Sequence, residues 1–212
     1  MRIYATADIH GRKKRITLIR NNIFKHKPDV LVIAGDISSC IRSARIIAQL
    51  NDMPVPVLAI RGNTDLAGMD RLMEEYPNIS SLHLREVAVN GVCFTGVSGT
   101  IPLPFHSRIG FREQSVMKKL EPLVKRYSVL LAHPPPYRVL DEVIGRFHAG
   151  SRRLHELVLT RQPALLICGH IHERRGSAFV GKTLVVNCSM GRTGAGAIIT
   201  FDPNREIKVE ML

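Results

Sequence analysis

Tryptophan is missing from this chain, and only four tyrosines are spread through its 212 residues. Proteins that bind single-stranded nucleic acid stack successive bases on flat aromatic side chains, so a nucleic-acid partner is compatible but not favoured. Cysteine is scarce as well. Cys40, Cys93, Cys168 and Cys188 stand far apart with no CxxC pair, which argues against a disulfide framework and against a thiolate zinc site. No apolar run approaches the ~18 residues of a membrane span. The amino terminus, MRIYATADIHG, runs straight into a strand without the plan of a signal peptide. A cytoplasmic protein with reduced thiols and no membrane partner is the expectation. Acidic residues are the last shortage: 18 Asp and Glu face 30 Lys and Arg, a formal net charge of +12. That imbalance favours an anionic partner without naming it.

What is present is a series of apolar strands that stop on polar residues. The plainest is Pro28–Asp36, PDVLVIAGD. Val30–Ala34 are apolar without alternation, the pattern of a strand buried on both faces in a parallel sheet flanked by helices. Gly35 ends the strand. Asp36 is then presented at its carboxyl end, where open α/β sheets collect their ligands.

At 23.7 kDa the chain is long enough for a real core, and residues 1–212 read as a single domain. Arg2–Thr6 reads as a first strand, Ile16–Phe24 as an amphipathic helix and Val30–Ala34 as a second strand. A helix over about Ser43–Leu50, a strand at Val57–Ile60 and a helix at Met69–Tyr76 complete a βαβαβ pattern. Glu86–Val89 and Val92–Ser98 flank Asn90-Gly91, the dipeptide that a type I′ hairpin turn prefers. Gly99–Gly110 reads as a proline-containing loop, Glu113–Lys125 as a helix, and Val129–Ala132 as a buried strand running into HPPPY. A long loop reaches Gly150. Ser151 then caps a helix to about Arg161, and Ala164–Cys168 is another buried strand. The tail reads as short strands at Ala178–Val180, Thr183–Val186, Ala197–Phe201 and Ile207–Met211. Two sheets in one compact domain is the economical arrangement.

Five of these strands end in residues able to hold a metal: Asp8 and His10, Asp36, Asn63, His133, and His170 with His172. In Asp8-x-His10 and His170-x-His172 the i, i+2 spacing puts both side chains on one side of an extended backbone. A lone DxH is common chance. The ordered set is not. Taken together, DIHG, GD, GNTD, the lone His133 and GHIH resemble the calcineurin-like metallophosphoesterase superfamily over residues 8 to 172, in its small prokaryotic phosphodiesterase-type form. The resemblance implies an α/β fold, a four-layer αββα sandwich of two mixed β-sheets flanked by helices. It also implies a dinuclear centre in which Asp8, His10 and His172 hold one divalent ion and Asn63, His133 and His170 the other. Asp36 would bridge them. Catalysis would rest on Asp36, Asn63 and His133, with a bridging hydroxide attacking phosphorus.

The residue types suit that chemistry. Two divalent ions against two carboxylates and one hydroxide leave a net positive site to polarise a phosphoryl group. Neutral His and Asn ligands preserve that field. They suit manganese, iron, zinc or nickel, with manganese the expected ion.

Basic residues recur beside the ligand loops: Arg12, Lys13, Lys14, Arg61, Arg174, Arg175 and Arg192. Most read as solvated surface. Arg12–Arg15, however, enter the first turn of a helix, where cations oppose the dipole, and that cost points to an anionic substrate. HAGSRRLHELV, His148–Val158, opens a helix at Gly150-Ser151 whose free N–H groups suit a phosphate oxygen, with Arg152 nearby; an ordinary Ser N-cap is the alternative. A similar His-x-Gly-Ser run precedes the GHIH strand in small prokaryotic members of the superfamily, which gives His148 a catalytic role by resemblance. Thr64 departs from the pattern. Many members carry a His there that contacts phosphate and protonates the leaving group. Thr64 stays beside Asn63 as a substrate-binding candidate, and the proton source is left open, with His106 or His148 on flanking loops.

The expected activity is a phosphodiesterase acting on a phosphorylated small molecule or nucleotide. A phosphomonoesterase or nuclease of the same superfamily is the alternative within the enzyme class, and a non-catalytic scaffold the alternative outside it. All seven ligand positions hold competent residues, which favours the enzyme.

Overall fold

The structure, a computed structural model, describes residues 1–38, 43–103, 106–143, 147–202 and 206–212; Cys40 lies outside them. The first half runs β1 (Arg2–Thr6), α1 (Lys13–His26), β2 (Val30–Ala34), α2 (Ser43–Asn51), β3 (Val57–Ile60), α3 (Met69–Glu74) and β4 (Ile79–Ser81). A hairpin follows, β5 (Glu86–Val89) and β6 (Val92–Val97), turning through Asn90 and Gly91 at φ 48° and 78°, the left-handed pair that a type I′ turn requires. Then come β7 (Ile101–Leu103), β8 (His106–Arg108), α4 (Glu113–Leu120), β9 (Val129–Ala132), β10 (Glu142–Val143), β11 (Phe147–His148) and α5 (Arg152–Arg161). β12 (Leu165–Cys168), β13 (Gly176–Val180), β14 (Thr183–Asn187), β15 (Ala197–Thr200) and β16 (Lys208–Met211) close the chain.

Two six-stranded sheets result, ordered β16-β15-β1-β2-β3-β4 and β13-β14-β12-β9-β6-β5. Both are mixed. The inner strands β1 to β4 run parallel, as do β6, β9, β12 and β14. Antiparallel strands lie outside them: β15 and β16 on the first sheet, β5 and β13 on the second.

The layers follow from which face each side chain takes. On β2, Val30, Val32 and Ala34 join Leu58 and Ile60 against Phe94, Leu131 and Ile167 of the other sheet. Leu31 and Ile33 point the opposite way, onto Ile19 and Ile23 of α1 and Ile46 and Ile47 of α2. The second sheet repeats the plan, with Leu130, Leu166 and Val185 packed on Leu120 of α4 and Leu154 and Val158 of α5. Three apolar interfaces separate four layers, helices–sheet–sheet–helices. Each fully buried aliphatic side chain contributes about 1.5–3 kcal/mol to that packing. The unbroken run Val30–Ala34 has no polar residue because it has no wet face.

Several elements differ from the sequence expectation. α4 ends at Leu120 rather than Lys125, because Pro122 lacks an N–H and crowds the carbonyl one turn back; a short 3₁₀ turn, Glu121–Leu123, follows instead. β4 was not anticipated. The loop over Gly99–Gly110 contains the β7–β8 hairpin, and the approach to Gly150 contains β10–β11. Strands of two or three residues are too short to show a periodicity. Among the described residues no helix is long and apolar enough to cross a membrane.

Candidate metal centre

β1, β2, β3, β9 and β12 deliver their terminal residues to one rim. The backbone there is held in unusual conformations. Asp8, His10, Asp36 and His170 take φ values of 62°, 51°, 52° and 69°, a left-handed region that costs a non-glycine residue on the order of 1–3 kcal/mol and is least unfavourable for Asp, Asn and His. Hydrogen bonds between the loops hold it. Asp8 N–H donates to Gly35 O at 3.0 Å, His10 N–H to Asp36 O at 2.8 Å, and His170 N–H to Asp8 Oδ2 at 3.1 Å. Arg15 donates to the carbonyls of Asp8 and Gly191, tying β1 to the turn after β14. Gly62 permits a close approach: a Cβ there would collide with Asp36 Oδ1.

All seven candidate ligands meet in this cluster. Asp8, His10 and His172 form one group whose ligand atoms lie within 4.8 Å of one another, and Asp8, Asp36 and His133 form a second. Asp8 belongs to both. Asp36 faces both, with Oδ1 3.5 Å from His133 Nε2 and Oδ2 3.8 Å from His10 Nδ1. Asn63 Oδ1 lies 3.0 Å from His133 Nε2. His170 sets its ring edge against His133, centroids 5.0 Å apart. His133 Nδ1 lies 2.8 Å from the carbonyl of Ala34, an outer hydrogen bond that fixes the ring and turns Nε2 toward the cluster.

The charges are arranged for a cation. Burial opposes ionisation of Asp36, but the His133 imidazole, the Thr64 N–H and His10 outweigh it and hold the carboxyl well below the usual carboxylate range. The same holds for Asp8, where His172, His133 and Ser189 overcome burial. Burial works against a charged His133 too, yet Asp36 and Asp8 push its pKa up to about 9. A proton there stands where positive charge is wanted. Burial and the neighbouring His133 push His170 down to about 4, and burial lowers His10; both are therefore neutral and able to ligate near pH 7.

The cluster fits a metal by a direct test. Asp8 Oδ1 and His10 Nε2 are buried with no hydrogen-bond partner. His172 Nε2 is 3.3 Å from Asp8 Oδ1 but lacks hydrogen-bond alignment. An unsatisfied buried polar atom costs about 1–3 kcal/mol, and a cation bound by both would remove that cost. The donors are oxygen and imidazole nitrogen without thiolate, which suits manganese, iron, zinc or nickel.

The substrate-side candidates are more dispersed. Thr64 Oγ1 lies 3.4 Å from His10 Nδ1, at the edge of the cluster. Ser151 caps α5, its hydroxyl accepting from Leu154 N–H at 3.1 Å, and Gly150 N–H donates to Asp141 Oδ2 at 2.9 Å. Both groups are thus already engaged. Arg152 lies over the Tyr137 ring at 4.2 Å. Among the described residues His148 contacts Asp141 and Tyr137 rather than any of the seven ligands.

Two carboxylates were missed. Asp65 accepts N–H bonds from Ile37, Ser38 and Gly62 at 2.8–3.0 Å, pinning the Asp36 loop to the Asn63 loop; burial raises its pKa against those bonds. Asp141, 1 % exposed, holds His148 Nδ1 at 2.7 Å. Asp65 stands inside the GNTD motif. Nothing local marks Asp141.

Comparison with known proteins finds relatives in sequence and in fold. A sequence profile described as calcineurin-like phosphoesterase matches residues 1–174. An uncharacterised protein of Methanocaldococcus jannaschii is 30% identical over 200 residues, covering 89% of this chain and 88% of its own. The crystal structure of TT1561 of Thermus thermophilus superposes with a TM-score of 0.73 at 17% identity, covering 99% and 98% of the two chains. The structure of a protein described as a novel archaeal phosphodiesterase superposes with a TM-score of 0.53 at 16% identity, covering 100% of both chains.

Proposed function

The chain belongs to the calcineurin-like phosphoesterase family, and from that premise we propose that it is a phosphodiesterase whose whole length forms one domain around a dinuclear metal centre. Asp8, His10 and His172 hold one ion, Asn63, His133 and His170 the other, and Asp36 serves both. The observation that carries this reading is Asp36 itself, with one oxygen toward His133 and the other toward His10. Bound divalent ions, manganese first, supply positive charge against the phosphoryl oxygens and lower the pKa of water. The chain's own residues do the remainder. Asn63 and Thr64 orient the phosphoryl group at the rim. His148, steadied at Nδ1 by Asp141, keeps Nε2 free to give a proton to the leaving group. Thr64 in place of the family's frequent His removes the usual proton donor, and a site of modest net positive charge suits a diester, which carries one negative charge where a monoester carries two.

Metal-free protein supplied separately with Mn, Fe, Zn and Ni tests the reading, using bis(p-nitrophenyl) and mono(p-nitrophenyl) phosphate. Metal-dependent turnover with a higher kcat/KM for the diester is expected. Turnover with none of the ions, or a clear monoester preference, overturns it.

A further inference from the structure

Next to the proposed centre lies a cavity of ≈ 640 Å³ between the start of α1 and the turn at Arg192. His10 lines it and also belongs to the more exposed ligand group, so the cavity opens on the place where a substrate would sit. Its charged lining residues are Arg12, Lys13, Lys14, Arg15 and Arg192, and among the described residues no Asp, Glu, Phe or Tyr lines it.

Several cations elsewhere on the surface stand beside a carboxylate, and among the described residues the cavity cluster has none. Arg61 is answered by Asp70, Arg85 by Glu74, Lys125 by Glu86 and Arg174 by Glu142. Among the described residues Arg12, Lys13, Lys14 and Arg192 have no carboxylate partner, and all four are exposed. Arg15 is committed to the carbonyls of Asp8 and Gly191 and fixes the cavity wall. The arrangement is unfavourable by itself. Like charges crowd together, and α1 begins with them and has no acid in its first turn, against its own dipole. A multiply charged anion would relieve both penalties.

We infer that the cavity receives a polyphosphate arm: the substrate carries, beside its scissile phosphoryl group, a chain of two or more further phosphates. This rests on the phosphoesterase reading of the centre. The volume falls in the ~300–1,000 Å³ range of small-ligand sites rather than that of an extended nucleic-acid groove. Among the described residues no Phe or Tyr walls the cavity, so they offer no broad ring for a base to stack on. Flexible Lys heads and planar Arg forks suit phosphate oxygens spaced along a chain.

Calorimetry on the metal-free protein, with inorganic tripolyphosphate, orthophosphate and an oligothymidylate as probes, tests this. Tripolyphosphate should bind at least about tenfold tighter than orthophosphate and weaken as salt is raised. Lys14→Gln with Arg192→Gln should weaken it by about fivefold or more, as expected for two exposed charge contacts. Lys13→Gln provides an independent variant, and cooperative melting of each variant confirms that it is folded. Equal affinity for the two phosphates, or variants that bind tripolyphosphate like the parent, overturns the inference. Tighter binding of the oligothymidylate overturns it in favour of nucleic acid. Tripolyphosphate binding without turnover of any ester would overturn the phosphoesterase reading and leave the cavity as a polyphosphate site.

Discussion

The two ligand groups share Asp8 yet differ in their surroundings. Asp8, Asp36 and His133 are all buried, whereas the side chains of His10 and His172 are 23% and 41% exposed. The inner group is fastened to the core: His133 binds the carbonyl of Ala34 in β2, and Asp36 accepts from Thr64 N–H. The outer group hangs on loops beside the cationic cavity. Folding itself assembles the inner group, so it belongs to the protein's stability as well as its chemistry. The outer group is the one open to solvent.

Removing the carboxylate proposed to serve both ions should have the largest effect. Asp36→Asn is expected to lower turnover by about 10³-fold or more, by analogy with loss of one preorganised charge at a reacting centre, and to leave fewer than two ions per chain by metal analysis. Two ions with turnover retained would refute its shared role.

Next comes a direct contrast in stability. His133→Ala breaks a buried ion pair and should cost about 3 kcal/mol in denaturant unfolding of the metal-free protein. His172→Ala should cost less than about 1 kcal/mol, because its ring is partly exposed to solvent, while still removing metal from the outer group. Equal losses would erase the distinction between inner and outer groups.

The proton on His133 sharpens the same contrast. In the metal-free protein its pKa is raised to about 9, so below that pH a cation must displace one proton to use Nε2. Affinity at the inner group should therefore rise about tenfold per pH unit from pH 7 toward 9 and then flatten. His170, lowered to about 4, adds no slope in this range. Metal titrations at graded pH, with proton release read in two buffers, measure it; a pH-independent affinity would contradict the arrangement.

The smallest effect is expected at position 64, on the rim of the outer group. General-acid help is worth ~10²–10⁴-fold and matters most for poor leaving groups. Across aryl phosphodiesters of graded leaving-group pKa, Thr64→His should flatten the dependence of rate, with a gain of about tenfold for the poorest leaving group. A steeper dependence in His148→Ala would assign the proton to His148. Unchanged slopes in both variants would remove both positions from proton supply.

Much of the fold was legible because its signals are local. Val30–Ala34, Val57–Ile60 and Val129–Ala132 declare their burial by unbroken apolar character, Asn90-Gly91 declares its turn, and Ser151 its cap. β4, β7–β8 and β10–β11 were invisible because two or three residues carry no period. Pro122 ended α4 early, a local signal that the helical spacing obscured.

The sequence alone determined which strands would be buried and which residues would stand at their carboxyl ends, because apolar patterning and chain order are properties of neighbouring residues. It therefore displayed all seven candidate ligands and the surplus of basic charge. Tertiary structure decided what could only be a distance between remote residues. It set Asp8 in both groups, drew Asp65 onto the N–H groups of two loops, and placed Asp141 behind His148. It also separated Arg61 and Arg174, which are paired, from Arg12, Lys13, Lys14 and Arg192, which among the described residues are not. Composition counts charges, but only packing brings a carboxylate to one arginine and withholds it from another.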